Sequence, residues 1–329
     1  MGKSNGEGDK LRWVGFDLGG TKMYSVVFDE KFAPLGSERR PTDGHEGGEA
    51  GLKKIIETVG RSLEAADCPP KALGGIGIGC PGIVDMERGI LRTTPNLGWP
   101  DIPLAKALEK EFGCPVYVLN DVDAGTYGEY VAGAGKGART LLGVFPGTGV
   151  GGGCIYDGKL LRGKRFSAME IGAVRWPSVS LGSGPGEHPI MELFSSRLGI
   201  AASCAAEAFR GKAPALMKKA GTDLSKIKSK AIAQSYGSGD PGTVAVVENA
   251  LEYLALGVGG AVNLLAPDQI VLGGGLVEAM PDLFVDRMKE LLAKFASAEL
   301  VEDLKIKAAK LGDEAAVVGA AHYAAAEAS

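Results

Sequence analysis

Gly15-Phe16-Asp17-Leu18-Gly19-Gly20-Thr21-Lys22 and Gly143-Val144-Phe145-Pro146-Gly147-Thr148-Gly149-Val150 are two versions of one pattern. Each is an apolar strand that runs into a glycine–threonine turn and returns as a strand. Around the first copy, residues 11–17, 24–28 and 34–41 read as strands, a meander and not a strand followed by a helix. Around the second, residues 140–145 and 153–156 read as strands, Asp157-Gly158 as a hairpin turn, and 159–161 as the returning strand. The recurrence predicts an internal duplication: two lobes of like topology.

Outward from these hairpins, Leu52, Ile55, Ile56, Val59 and Leu63 fall on one face at the helical period, which predicts a helix over 51–66. Residues 73–79 read as a short apolar strand, 104–112 as a helix, and 116–119 as a strand that ends in Asn120-Asp121. Residues 123–131 read as a helix. The second half is mostly helical, over roughly 190–209, 243–265, 281–296 and 314–327. One strand, 269–272, ends in Gly273-Gly274-Gly275. Strands alternate with helices, so the class is α/β. The division expected is a leader over 1–10, a small N-terminal lobe over 11–122 and a large C-terminal lobe over 123–311. The last helix, 312–329, is expected to pack back on the first lobe.

At 329 residues, with 45% hydrophobic and 23% charged residues, the chain can bury a large core without staples. Its net charge of −4 argues against a nucleic-acid or membrane-surface binder. No apolar run reaches the roughly 18 residues of a membrane span. Residues 1–10 are polar and glycine-rich and read as a disordered leader, not a signal peptide. The five cysteines are scattered and form no Cys-x-x-Cys pair, which points to a reducing cytoplasm. Glycine is the unusual residue: 51 positions, about twice the ordinary ~7%. Tight turns and close backbone approach require it.

A glycine–threonine turn can aim backbone N–H groups at an anion. Gly19, Gly20, Thr21 and Lys22 form one such candidate, and Gly147, Thr148 and Gly149 a second. Asp17, just before the first turn, could hold a hydrated Mg²⁺, which prefers carboxylates, waters and phosphates. Gly77-x-Gly79-x-x-Gly82 and Gly147-x-Gly149-x-x-Gly152 match the dinucleotide fingerprint by letter. Neither opens a helix at its last glycine, so neither has the context the fingerprint needs.

In family order, the chain carries Asp17-Leu18-Gly19-Gly20-Thr21-Lys22, Gly77-Ile78-Gly79-Cys80-Pro81-Gly82-Ile83-Val84-Asp85 and Pro95-Asn96-Leu97-Gly98-Trp99. Leu119-Asn120-Asp121-Val122-Asp123-Ala124, Gly147 to Gly153 and Ile270 to Gly275 follow. Together these resemble the ROK family of sugar kinases and repressors, over about residues 11–325. The resemblance implies an actin-like ATPase fold of two ribonuclease H-like lobes, with ATP and sugar in a central cleft. It also implies a glucokinase-like, ATP-dependent hexose kinase with Mg²⁺. Asp121 would be the catalytic base, and Asn96, Asn120, Asp121, Glu170 and Glu192 would hold the sugar. The two turns would cradle the phosphates, with Gly274 and Gly275 against the adenosine.

The chain departs from the family at its zinc module. The family's His and three Cys ligands appear here as Ala173, Ser183, Pro185 and Ile190, and His188 alone makes no site. No structural zinc is expected, and the loss of His at Ala173 leaves the hexose open. Fructose, mannose, allose, N-acetylhexosamines and cyclitols stay as alternatives to glucose, and polyphosphate as an alternative donor to ATP. A second class is a sugar sensor or repressor on the same fold. The resemblance further suggests a homodimer.

Overall fold

The structure, a computed structural model, describes residues 11–94, 96–175 and 189–328. The expected leader, Pro95, and positions 183, 185 and 188 of the zinc comparison lie outside the described residues.

The strands are β1 (Arg12–Leu18), β2 (Lys22–Phe28), β3 (Pro34–Pro41), β4 (Leu73–Cys80), β5 (Ile83–Asp85), β6 (Ile90–Thr93), β7 (Pro100–Ile102), β8 (Val116–Asn120), β9 (Leu141–Pro146), β10 (Val150–Tyr156), β11 (Lys159–Leu160), β12 (Gln269–Leu272) and β13 (Lys305–Ala308). Helices α1 (Gly48–Ala65), α2 (Leu104–Phe112) and α3 (Asp121–Val131) lie among the first strands. Helices α4 (Glu192–Ser195), α5 (Arg197–Phe209), α6 (Pro214–Ala220), α7 (Ser229–Gly237) and α8 (Pro241–Leu265) precede β12. After it come α9 (Gly275–Ala279), α10 (Pro281–Phe295), α11 (Ala298–Val301) and α12 (Ala315–Ala328).

The chain forms two compact units. The first comprises residues up to Lys136, an arm of Leu160–Ala168, and Asp313 to the end. The second comprises Gly137–Lys159 and Met169–Gly312. The main sheet of the first unit runs β3-β2-β1-β4-β8, and that of the second β11-β10-β9-β12-β13. In both, the opening strand pairs antiparallel with its hairpin partner and parallel with the next strand, which is parallel to the edge strand. The two units therefore share one topology, the duplicated ribonuclease H-like plan of the actin-like fold.

In the first unit, α12 lies across β1 and β4 at a groove cut by glycine. Gly15 and Gly77 are register partners; a Cβ on Gly15 would sit 1.8 Å from the Val317 carbonyl oxygen, and one on Gly77 1.9 Å from that of Ala320. On α12 itself, a Cβ on Gly319 would sit 1.8 Å from the Ala124 oxygen of α3. The other face buries Phe16, Ile55, Val59, Ile76, Ile78, Leu104, Leu108 and Trp99. Trp99 anchors the small β5-β6-β7 sheet, its Nε1–H donating to the Gly44 oxygen at 2.9 Å.

The second unit packs α5, α7, α8 and α10 around β9 and β12. Helix α8 is long and apolar enough to cross a bilayer by length and composition, alone in this among the described residues. Its Val247, Leu251, Leu254, Val258 and Val262 are core residues of the unit, which accounts for the apolar content. The strand expected at 153–156 starts three residues earlier: Gly151, Gly152 and Gly153 pair with Phe145, Val144 and Gly143. A Cβ on Gly152 would fall 2.6 Å from the Met169 oxygen, so the glycines let the 169–173 segment lie against the strand.

Candidate active site

Parallel register brings three candidate residues to one sheet edge. Asp17 stands opposite Gly79, Gly79 opposite Leu119, and Cys80 opposite Asn120. Asp17, Asn120 and Asp121 thus share the carboxyl edge of β1, β4 and β8, where ligands of α/β sheets gather. The buried Cys80 thiol between them reports both carboxylates: burial pushes it well up, and the charges of Asp121 and Asp17 push in the same direction. Gly79 keeps the edge close-packed, since its Cβ would lie 3.4 Å from the Asp121 Cα.

Asn120 caps α3. Its side-chain oxygen accepts from Val122 N at 2.8 Å and Asp123 N at 3.4 Å, and its amide donates to the Gly82 oxygen at 3.1 Å. One amide hydrogen of Asn120 is left for a ligand. Asp121 is half-buried at the first helical position, and its Oδ1 accepts from Val122 N at 3.0 Å. That bond steers the carboxylate.

Burial pushes the Asp17 carboxyl up to about 6, against the pull of Lys22. Lys22 Nζ in turn reaches Asp313 at 2.7 Å, and Arg39 lies 3.6 Å from the same carboxylate. The Lys22–Asp313 pair has no signal in the sequence, because its members are 291 positions apart.

In both glycine–threonine turns the amide of the first glycine bonds inward. In the first, Gly19 N donates to the Lys22 oxygen at 3.0 Å, and Thr42 Oγ1 donates to the Gly19 oxygen at 2.7 Å. In the second, Gly147 N bonds inward to the Phe145 and Gly149 oxygens, both at 2.9 Å. The first glycine's amide thus closes each turn. The next two amides, of Gly20 and Thr21 and of Thr148 and Gly149, have no acceptor among the described residues. Asn96 stands beside the first turn, its Cβ 3.5 Å from where a Gly20 Cβ would be.

In the second unit, Glu192 is at the second turn. Its Oε2 accepts from Val150 N at 2.8 Å and would lie 2.2 Å from a Cβ on Gly149. Glu170 is exposed on the 169–173 segment that packs on the same strand; a Cβ on Gly172 would meet the Val150 oxygen at 2.1 Å. Glu192 thus bonds Val150, and the segment that carries Glu170 packs against the same residue. Ala173 ends that segment, and Ile190 pairs with Arg175 in an isolated bridge. Gly274, at φ 83°, packs on Pro146 and Gly147, 3.2 Å from the Pro146 oxygen to its would-be Cβ. This places the Gly274-Gly275 bend beside the second turn.

Arg197 is a residue the sequence reading missed. Its N–H donates to the Gly147 oxygen at 2.8 Å and its guanidinium to Thr148 Oγ1 at 3.3 Å. With Ser229, Gln234, Gly275 and Glu278 it lines a cavity of about 1060 Å³. Nothing in the local pattern marks it, as it enters from the start of α5, about fifty residues downstream of the turn.

The duplicated sheets, with paired glycine–threonine turns and an aspartate at a strand end, define a protein of the actin-like ATPase fold. The ROK family model matches residues 13–327. The chain belongs to the ROK family. A glucokinase of Halalkalibacterium halodurans is 30% identical over 315 residues, 94% of this chain and 93% of that protein. The crystal structure of a ROK family glucokinase from Streptomyces griseus, in complex with glucose and AMPPNP, is similar with a TM-score of 0.79 and 29% identity, covering 96% of this chain and 99% of that one. A xylose repressor of Caldicellulosiruptor bescii is 26% identical over 93% of this chain and 76% of its own length.

Proposed function

We propose that this protein is an ATP-dependent sugar kinase that transfers the γ-phosphoryl group to a hexose hydroxyl, with the C6 hydroxyl of glucose as the first acceptor to test. The observation that carries the reading is the carboxyl edge of β1, β4 and β8, where Asp121 stands beside Asp17 and close to a turn with two open amides. The glucose and nucleotide analogue in the Streptomyces griseus relative support it.

In this reading Asp121 accepts the proton of the attacking hydroxyl, while its bond to Val122 N holds the carboxylate in place. Asn96 and the remaining hydrogen of Asn120 orient the sugar, with Glu170 and Glu192 as further hydroxyl acceptors. The amides of Gly20, Thr21, Thr148 and Gly149 receive phosphate oxygens, and Lys22 adds a charge once released from Asp313. Gly274, Gly275 and the cavity beside Arg197 take the adenosine. A hydrated Mg²⁺ fits Asp17, since burial leaves this carboxylate short of compensation. Bound there through water and phosphates, it would neutralise phosphoryl charge. The family precedent of a homodimer and a reducing cytoplasmic setting complete the proposal.

A coupled ADP-release assay tests it, across glucose, mannose, fructose, allose, N-acetylated hexosamines and cyclitols, with polyphosphate as a second donor. Sugar-dependent ADP release from one of them is expected. ATP binding without turnover on any would return the chain to the sensor class that the repressor relative represents.

A further inference from the structure

The basic cluster Arg162, Lys164 and Arg165 has no part in the site above. It lies on the arm of Leu160–Ala168, which is built into the first unit. Arg165 forks onto Asp85, which is fully buried, and Met86 N donates to the Arg165 oxygen at 2.8 Å. With the arm fixed there, Arg162 and Lys164 wall a cavity of about 550 Å³. Arg88 and Lys106 line it too, and Tyr117 and Tyr323 form part of its wall, their rings 6.5 Å apart edge to face. Val116, Tyr117 and Val118, the first residues of β8, also line it, at the end of that strand away from Asp121.

Four cations share this concavity. Arg88, Lys106 and Lys164 have no carboxylate within ion-pair reach among the described residues, and Arg162 meets Glu327 only at 3.7 Å. Like charges gathered in a partly enclosed, low-dielectric space repel until an anion joins them. Glu109 and Glu327 line the same space. Carboxylates there repel a bare polyanion and accept from hydroxyls, while tyrosine faces suit a carbon skeleton.

We propose that this cavity binds a small phosphorylated polyol. The phosphate meets Arg88, Arg162 and Lys164, the hydroxyls meet Glu109 and Glu327, and the ring lies on Tyr117 and Tyr323. The site stands on its own residues. The choice of a hexose 6-phosphate as the probe rests on the kinase reading, and makes the cavity a contact for the class of compound that reaction releases.

Hydrogen exchange followed by mass spectrometry tests it on the full chain, with glucose and a non-hydrolysable ATP analogue present to fill the active site. Glucose 6-phosphate is expected to slow exchange over 86–89 and 160–168. The R88A/K164A variant should need at least tenfold more of it, and so should K164A alone, to a smaller degree. Absence of protection, equal protection by inorganic phosphate, or unchanged affinity in both variants would overturn the proposal. Exchange is read without turnover, so a protein that fails the ADP assay but shows this protection loses the kinase reading and keeps the site.

Discussion

Asp121 and Asp17 sit on one edge but in different surroundings. Asp121 stands at a helix N-terminus, where its Oδ1 accepts from the Val122 amide; replacing it with Asn keeps the side-chain shape and leaves the cap, Asn120, in place. We expect D121N to retain the melting temperature and lose about 10²–10⁴-fold in kcat; near-normal turnover would remove it from the reaction. Asp17 is buried with its carboxyl raised to about 6. A folded value above the unfolded one means the native state binds the proton more tightly. Its contribution is therefore fully present below about 4 and is lost as pH rises through about 6. D17N should then be more stable than the parent at pH 7, by about 1–3 kcal/mol, with no such gain at pH 4. A chemical denaturation series at the two pH values measures it. Because the ionised form is the one that would serve a cation, kcat/KM for ATP should fall as pH drops through about 6. A profile flat between pH 5 and 7 would dissociate Asp17 from the donor. Little of this was open to sequence reading. The motif marks Asp17 and Asp121, but the common edge depends on a parallel register between strands about a hundred residues apart. Likewise the local pattern around Glu192 shows only an ordinary helix face; the resemblance alone marks the residue, and its bond to Val150 N appears only in the structure.

At the level of elements, glycine decides which backbones can touch. Gly15 and Gly77 face α12 where a methyl group would overlap carbonyl oxygens. G15A and G77A should each destabilise the protein by about 1–3 kcal/mol or more, seen as an earlier denaturation midpoint. A neutral G15A would mean the helix has room to lift. The hairpins, α2 and β12 were legible because each carries its own pattern: a helical stripe at 104–112, or an apolar run ending in glycines at 269–272. The β5-β6-β7 sheet was not read. Strands of three or four residues show no periodicity, and the Trp99–Gly44 bond beside them joins residues 55 positions apart. Helices α6 and α7 were also passed over: α6 has only seven residues, and α7, unlike α2 with Leu104, Leu108 and Phe112 on one face, carries Ile232 as its one large aliphatic side chain.

Over the whole molecule, all five cysteines are buried and no disulfide joins them. Burial lifts Cys68, lifts Cys80 far more, and carries Cys114 to about 11 and Cys204 to about 12. Thiols held so far from ionising react slowly. A thiol reagent at neutral pH should label almost none of the five in minutes and all of them in denaturant; one fast native thiol would contradict this packing. Topology was the most legible property at this scale, because the duplicated hairpin declares it. The units themselves were harder to read, since the first is assembled from three separated stretches of chain. The glycine-cut groove over β1 and β4 waits for α12, which rejoins the first unit only after Met169–Gly312 of the second unit has been made. Until α12 docks, the nascent first unit must carry a bare apolar furrow, so holdase chaperones should engage it while the second unit is being synthesised and let go once that helix is in place.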